Sequence, residues 1–169
     1  VRRMKRLARM TVGLASRAMA YLPADAAVHG IFMGTGWGAL SETHDFLDKL
    51  YASNEFFTSP IDFVGTVHNA PAGQVAIREK IEGPNVTMTG GDASFEQALL
   101  AADHLGCDGR PVLVGGADEH HPRFSALFDP STLMDDTPSD GGGMLLVQAD
   151  DQPGLTLTPA FMGVNDGVD

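Results

Sequence analysis

The spacing of apolar residues along the chain predicts helices that alternate with short buried strands. Apolar positions recur at helical spacing through residues 2–22, and Pro23 ends that helix, whereas a nearly continuous apolar run over 28–35 is typical of a strand buried on both faces. The same patterns predict helices over 41–53 and 95–105, two shorter helical pieces within 62–81 that Pro71 and Gly73 separate, and strands over 85–89, 111–115, 144–149 and 155–161. Residues 122–142 are predicted to form a loop.

Strands that alternate with helices in this way indicate an α/β fold with a mostly parallel sheet flanked by helices. The 169 residues are enough for one domain, which we place at residues 1–162, with a frayed tail over 163–169. No apolar run reaches the roughly 18 residues that a membrane-spanning helix needs, so no span is expected.

The charge is distributed unevenly along the chain. Six of the 11 basic residues precede Asp25, where no acid occurs, and the remainder carries 5 basic and 22 acidic residues, a net charge of −17. Such an acidic body repels nucleic acid, so we expect no nucleic-acid partner. The single cysteine, Cys107, cannot form an intrachain disulfide, and a reducing cytoplasm is the expected location.

Asp92 lies between a predicted strand and a predicted helix, in the stretch NVTMTGGDASFE. A strand-to-helix elbow of this kind often presents a nucleophile, which makes Asp92 the candidate catalytic residue. The alternative interpretation is an ordinary helix cap, because the amide groups and dipole at a helix N-terminus stabilise an anion.

The segment GTGWGA, Gly34 to Ala39, satisfies the glycine pattern of a dinucleotide-binding turn between a strand and a helix. The acid expected about 20 residues further on is missing from a strand end, since that distance falls on residues 53–55, at the end of a predicted helix. Nucleotide binding therefore stays only as an alternative, and no cofactor is expected.

Four polar residues follow the strand at 111–115: Asp118, Glu119, His120 and His121. Metal sites use such residues, but adjacent side chains point apart and no second ligand cluster is evident, so no metal is expected. The pair His68–Asn69 fits either a packed polar pair or part of a site.

Five segments in order resemble the N-terminal half of the β-ketoacyl synthases, the thiolase-like condensing enzymes of fatty-acid and polyketide biosynthesis. They are GIFMGTGWG (30–38), VHNAPAG (67–73), GPNVTMTGGDASFEQALLAA (83–102), VLVGGADE (112–119) and FDPSTLMDDTPSDGGGMLLV (128–147). The resemblance implies a thiolase-like half-domain with an elbow that bears the family's catalytic cysteine. Counting without gaps from Gly83 places that cysteine at Asp92.

Three departures from the family change the expected activity. The thiol that would carry an acyl group is replaced by Asp92, and none of the six histidines matches the two catalytic histidines of the family's C-terminal half. The family's strand ahead of the first helix is also missing, so either the sheet lacks a middle strand, another segment fills it, or the chain is an incomplete version of a longer protein.

The resemblance therefore implies a non-condensing subunit similar to the chain-length factors that pair with an active synthase. Acyl carrier protein and a condensing β-ketoacyl synthase are the expected partners, the first through the basic stretch Arg2 to Arg9, in a homo- or hetero-oligomer. Phe95, Leu99 and Leu100 are expected to leave an exposed apolar patch. The alternative function is an acyl-thioester decarboxylase or hydrolase of the same fold that uses Asp92.

Overall fold

The computed structural model describes residues 4–23, 26–54, 59–106, 108–128 and 139–149. The helices are α1 Arg6–Met19, α2 Leu40–Ala52, α3 Pro60–Thr66, α4 Ala70–Glu79, α5 Ser94–Leu105 and the single turn α6 Ser125–Phe128. The strands are β1 Gly30–Gly34, β2 Asn85–Met88, β3 Val112–Asp118 and β4 Gly141–Val147, and a 3₁₀ turn, Gly91–Ala93, precedes α5.

The four strands form one sheet in the order β2-β1-β3-β4. Strand β1 pairs in parallel with both β2 and β3, while β4 pairs antiparallel with β3 along its whole length. The predicted α/β class with a mostly parallel sheet is therefore confirmed. Among the described residues β1 pairs directly with β3, and no strand lies between them.

Two apolar clusters cover the opposite faces of the sheet because successive strand side chains point to opposite sides. Ile31, Met33 and Leu113 pack with α1 and α4 on one face. Phe32 and Val114 pack with α5 on the other. This two-sided burial explains why β1 and the start of β3 are continuous apolar runs rather than alternating ones.

Several element boundaries differ from the predictions for identifiable reasons. The break within 62–81 falls at residues 67–69. Pro71 lies in the first turn of α4 instead of interrupting a helix, because the N–H that proline lacks would have no partner within the helix there. Strand β3 continues to Asp118 because its last residues pair with Gly141–Gly143, of which Gly141 and Gly142 belong to the predicted loop over 122–142. The predicted strand over 155–161 and the tail over 163–169 lie outside the described residues.

The apolar surface lies elsewhere than predicted. Leu99 and Leu100 are half-buried, with Leu99 packed against the cluster on the α5 face, and only Phe95 of the three remains exposed. Helix α3 instead carries large exposed apolar side chains, with Ile61 81% and Val64 60% exposed. None of the residues of the short helix α3 is buried, so its apolar side chains form part of the protein surface.

Candidate functional site

A cavity of about 730 Å³ opens at the carboxyl ends of the parallel strands, the usual place for a ligand site in an open α/β sheet. It lies among the β1–α2 loop, the turn before α5, the end of β3 and the start of β4. The residues that shape it include Gly36, Trp37, Gly91, Asp92, Phe95, Gly116, Asp118, His120 and Gly141–Met144.

Asp92 stands on the 3₁₀ turn that joins β2 to α5, exposed to solvent and lining this cavity. Gly91 has a φ of +58°, a backbone conformation that residues other than glycine rarely adopt, so this glycine permits the sharp turn. The predicted elbow is thus present. No hydrogen bond joins the Asp92 side chain to any residue in the described parts of the chain.

Ser94, not Asp92, holds the elbow together. Its hydroxyl accepts a hydrogen bond from the Gly90 N–H at 2.8 Å and lies 2.6 Å from the Gly91 carbonyl and 3.0 Å from the Thr35 carbonyl, to which it donates. The N-cap position of α5 is Ala93, which makes no side-chain cap. The interpretation of Asp92 as an ordinary helix cap is therefore wrong, because Asp92 lies within the 3₁₀ turn just ahead of α5 and does not occupy the N-cap position.

The start of α5 lies directly against the end of β1. A Cβ at Gly34 would stand 2.5 Å from the Ser94 carbonyl oxygen and 2.7 Å from the Phe95 nitrogen, so only glycine allows this approach. The contact fixes the elbow at the centre of the sheet.

Asp118 accepts hydrogen bonds from backbone amide groups of the β1–α2 loop. Its carboxylate accepts hydrogen bonds from the Thr35 hydroxyl at 2.7 Å and from the Gly36 and Trp37 N–H groups at 2.9 and 3.2 Å. These are the donors with which a glycine-rich turn would bind phosphate. Because they already bind a carboxylate of the same chain, the basis for the nucleotide-binding alternative at Gly34–Ala39 is removed.

Glu119 is buried, and both oxygens of its carboxylate accept hydrogen bonds. Its carboxylate accepts from the Ser41 N–H at 2.7 Å, near the start of α2, and from Arg6 Nε at 3.2 Å. Arg6 also lies 3.2 Å from Asp140 and donates to the His120 carbonyl. Arg6 therefore joins α1 to the ends of β3 and β4 beside the cavity.

The two histidines after β3 have different surroundings, and only His120 lines the cavity together with Asp118 and Glu119. His121 is buried, stacks on Phe124 and accepts backbone hydrogen bonds from Arg123 and Phe124 at its Nδ1. Burial, and secondarily the nearby His44, lower the pKa of His121. His121 does not line the cavity, and no group of three metal-ligating side chains occurs within the described ranges.

His68 packs against the β1–α2 loop, where a Cβ on Gly38 would overlap its ring. Asn69 is the N-cap residue of α4 and makes no side-chain cap. Neither residue lines the Asp92 cavity, and Asn69 instead lines a second cavity among α1, α2, α3 and α4. Cys107 lies outside the described residues.

Sequence reasoning missed the wall of the cavity formed by Gly141–Gly143. The signal was the three consecutive glycines, of which Gly143 pairs with Gly116 of β3, while Gly142 and Gly141 pair with Ala117 and Asp118. A Cβ at Gly142 would stand 2.7 Å from the Gly116 carbonyl oxygen, so the glycines allow close pairing.

Comparisons with known proteins agree on one family. The family model of the β-ketoacyl synthase N-terminal domain matches residues 1–160. No curated protein matches the chain. Among the helices that the structure describes, none is long and apolar enough to cross a membrane.

Three solved structures are similar in fold. A ketosynthase (ApeO) in complex with its chain length factor (ApeC) from Xenorhabdus doucetiae matches with a TM-score of 0.70 and 25% identity over 89% of this chain and 60% of that one. The ishigamide ketosynthase/chain length factor matches with a TM-score of 0.70 and 28% identity over 85% and 43%. A β-ketoacyl synthase from Burkholderia phymatum, at 21% identity over 75% and 33%, has a TM-score of 0.60. The chain therefore spans less than two thirds of each of these proteins.

Proposed function

Because the chain belongs to the β-ketoacyl synthase N-terminal-domain family, we propose that it is a ketosynthase-like subunit that does not itself condense, in the manner of a chain length factor. The observation that carries this proposal is Asp92. It stands on the elbow between β2 and α5, lines the 730 Å³ cavity, and occupies the position at which the resemblance places the family's nucleophilic cysteine.

The chemistry of a carboxylate supports a non-condensing role. A thiolate forms a thioester that persists until a second substrate arrives, whereas a carboxylate would form a mixed anhydride that water hydrolyses readily. The elbow geometry is retained, with Gly91 and Ser94 supporting the turn, while the group needed for acyl storage is replaced. The protein thus keeps the shape of a ketosynthase half without its nucleophile.

A synthase subunit is the partner that this proposal requires. Two of the similar structures are described as a ketosynthase with a chain length factor, which supports such a pairing here. The outer edge of β2 offers a surface for it, since β2 pairs only with β1 among the described residues. The Pro84 and Met88 carbonyls accept from β1 residues, so the backbone groups of Asn85 and Thr87 turn outward.

Acyl carrier protein is the second proposed partner, bound through α1. Lys5 pairs with Asp45 at 2.7 Å and Arg6 with Glu119 and Asp140, so these two cations are already neutralised within the fold. Arg9 and Arg17 are exposed and form no ion pair with any described residue. They are the cations of α1 that remain for an acidic carrier.

An acylation experiment tests whether the elbow is that of a ketosynthase without its nucleophile. The variant Asp92→Cys, made with Cys107→Ser so that one thiol remains, is incubated with an octanoyl thioester and analysed by intact-protein mass spectrometry. We expect an octanoyl adduct at residue 92, because the start of a helix favours the thiolate. The Cys107→Ser protein with Asp92 intact should gain no mass.

Two outcomes would contradict the proposal. The absence of an adduct on a folded Asp92→Cys protein would show that the elbow does not present a nucleophile. Formation of a 3-ketoacyl product by the unaltered chain alone, from malonyl and acyl carrier-protein thioesters, would show that it condenses.

The free Asp92 carboxylate also favours a second candidate, an acyl-thioester decarboxylase or hydrolase in which Asp92 is the general base. An exposed carboxylate with no hydrogen bond to the described residues is free to accept a proton from substrate or water. Thioester turnover measured for the unaltered protein and for Asp92→Asn tests it. Unchanged turnover in the variant would eliminate this function.

A further inference from the structure

A second cavity, of about 710 Å³, lies among α1, α2, α3 and α4 and shares no lining residue with the Asp92 cavity. Its volume is in the range of small-molecule sites. We call it the α1–α4 groove. Its apolar walls include Leu7, Phe46, Ile61, Val64 and Ile77.

Glu42 contributes a buried carboxylate to this groove. The residue is only 7% exposed, and its Oε2 atom has no hydrogen-bond partner among the described residues. Burial, and secondarily the charge of Glu119, raise the pKa of Glu42. An unpaired buried carboxylate is costly, and a cation or a donor brought to it removes that cost.

The two lysines of the groove are held by other acids. Lys5 lies 2.7 Å from Asp45, and Lys49 lies 2.6 Å from Asp62, although Lys5 also attracts Glu42 at longer range. The lining therefore carries two cations and three carboxylates, one negative charge in excess. A ligand with a single positive charge would complement it.

The mouth of the groove is apolar. Ile61, Val64 and Ile77 are 81%, 60% and 76% exposed, although all three line the groove. Exposed aliphatic side chains beside a buried charge suit a molecule with a hydrocarbon part and a charged head.

We propose that the α1–α4 groove binds an aliphatic primary amine, with the hydrocarbon chain against α3 and α4 and the ammonium group paired with Glu42. This site goes beyond the proposed function, because no residue of β2 and no residue of the Asp92 cavity lines it. A charge-assisted hydrogen bond would hold the head group, and the hydrocarbon chain would cover the exposed side chains.

Isothermal titration calorimetry at pH 7.5 with octylammonium, octan-1-ol and octanoate tests the proposal. We expect octylammonium to bind at least about tenfold more tightly than octanol, because the charge-assisted bond is made only by the amine. Octanoate should bind more weakly than either, since its charge repels Glu42. Glu42→Gln should lower octylammonium affinity to that of octanol and leave octanol affinity unchanged.

The matched control is Glu96→Gln. Glu96 is an exposed glutamate in the first turn of α5, as Glu42 is in the first turn of α2, so this variant removes the same charge outside the groove. It should leave octylammonium binding unchanged. Ile61→Ser alters an exposed wall residue and should weaken octylammonium and octanol by similar factors.

Three results would overturn the proposal. One is equal binding of octylammonium and octanol to the unaltered protein. Another is full octylammonium affinity in Glu42→Gln, and the third is no binding of either probe. If Glu42→Gln failed to fold, the comparison of the three ligands and the Ile61→Ser variant would still decide the question.

Discussion

Single carboxylates perform different tasks in this protein, and the differences come from their surroundings. Asp118 binds three donors of the β1–α2 loop, Glu119 is buried against Arg6 and the start of α2, and Glu42 is buried with an unpaired oxygen. The Asp92 side chain lines a cavity and makes no hydrogen bond to the described residues. The same chemical group thus serves structure at two positions and is left available at two others.

The Asp118 clamp, which is the carboxylate of Asp118 with its three donors, should contribute strongly to stability. We expect Asp118→Asn to lower the free energy of unfolding by about 2 kcal/mol, because an amide nitrogen would replace one of the two oxygens and face either the Gly36 donor or the Trp37 donor, which then loses its acceptor. Asp92→Asn is the control and should change it by less than about 0.5 kcal/mol. Urea unfolding followed by the fluorescence of Trp37, the single tryptophan, measures both. Equal effects of the two substitutions would contradict the assignment of Asp118 as the clamp.

Glu42 should make stability depend on pH. The pKa of Glu42 is raised on folding above the ordinary value of 4.5, so the folded state binds more protons than the unfolded state. The free energy of unfolding therefore falls as the pH rises from the pKa of the unfolded state to that of the folded state. Glu42→Gln should therefore be more stable than the unaltered protein at pH 7, by about 1 kcal/mol, and equal to it below about pH 4.5. Urea unfolding at several pH values measures the difference. A stability difference between the two proteins that does not change with pH would exclude the ionisation of Glu42 as its cause.

Among the helices and strands, the contact between β1 and α5 fixes the elbow. We expect Gly34→Ala to lower the free energy of unfolding by about 1–3 kcal/mol, because its Cβ would meet the backbone of Ser94 and Phe95, which cannot move without displacing α5. Gly13→Ala is the control. Gly13 is exposed within α1, and a methyl group there would meet no other atom within 4 Å, so alanine should stabilise by about 0.5–1 kcal/mol. Thermal unfolding of both variants checks the pair, and a Gly34→Ala protein as stable as the unaltered chain would refute the contact.

Elements with a strong apolar pattern were predicted well. Elements whose bounds depend on pairing with a neighbouring strand were not. Strand β1 and helix α5 follow from their own residues, because one is buried on both faces and the other presents small residues to the sheet. Strand β4 begins at Gly141, which no local pattern indicates, since glycine joins a strand here only because β3 lies beside it.

The candidate site was predictable in part for the same reason. Asp92 could be placed on an elbow from the strand, the glycines and the helix around it. The hydrogen bonds of Asp118 could not be predicted, because they join residues more than 80 positions apart in the sequence. Local pattern gives the position of a side chain on its element, but tertiary structure decides its partners.

For the molecule as a unit, the main consequence of the fold is that β2 forms an edge of the sheet among the described residues, the edge that the proposed partner subunit would cover. If the partner adds to this edge, Thr87→Pro should abolish association with it, because proline removes the outward N–H while leaving the bonds to β1. Thr87→Val keeps that donor and should keep the complex. Size-exclusion chromatography of each variant with the partner distinguishes them, and loss of the complex in both variants would point to the side chain instead.

Native mass spectrometry of the chain after co-expression with the condensing ketosynthase encoded nearest to it tests whether this protein is a non-condensing partner subunit. We predict a stable complex that contains the two proteins in equal numbers. A chain that remains alone in the presence of a folded synthase would contradict the proposed function.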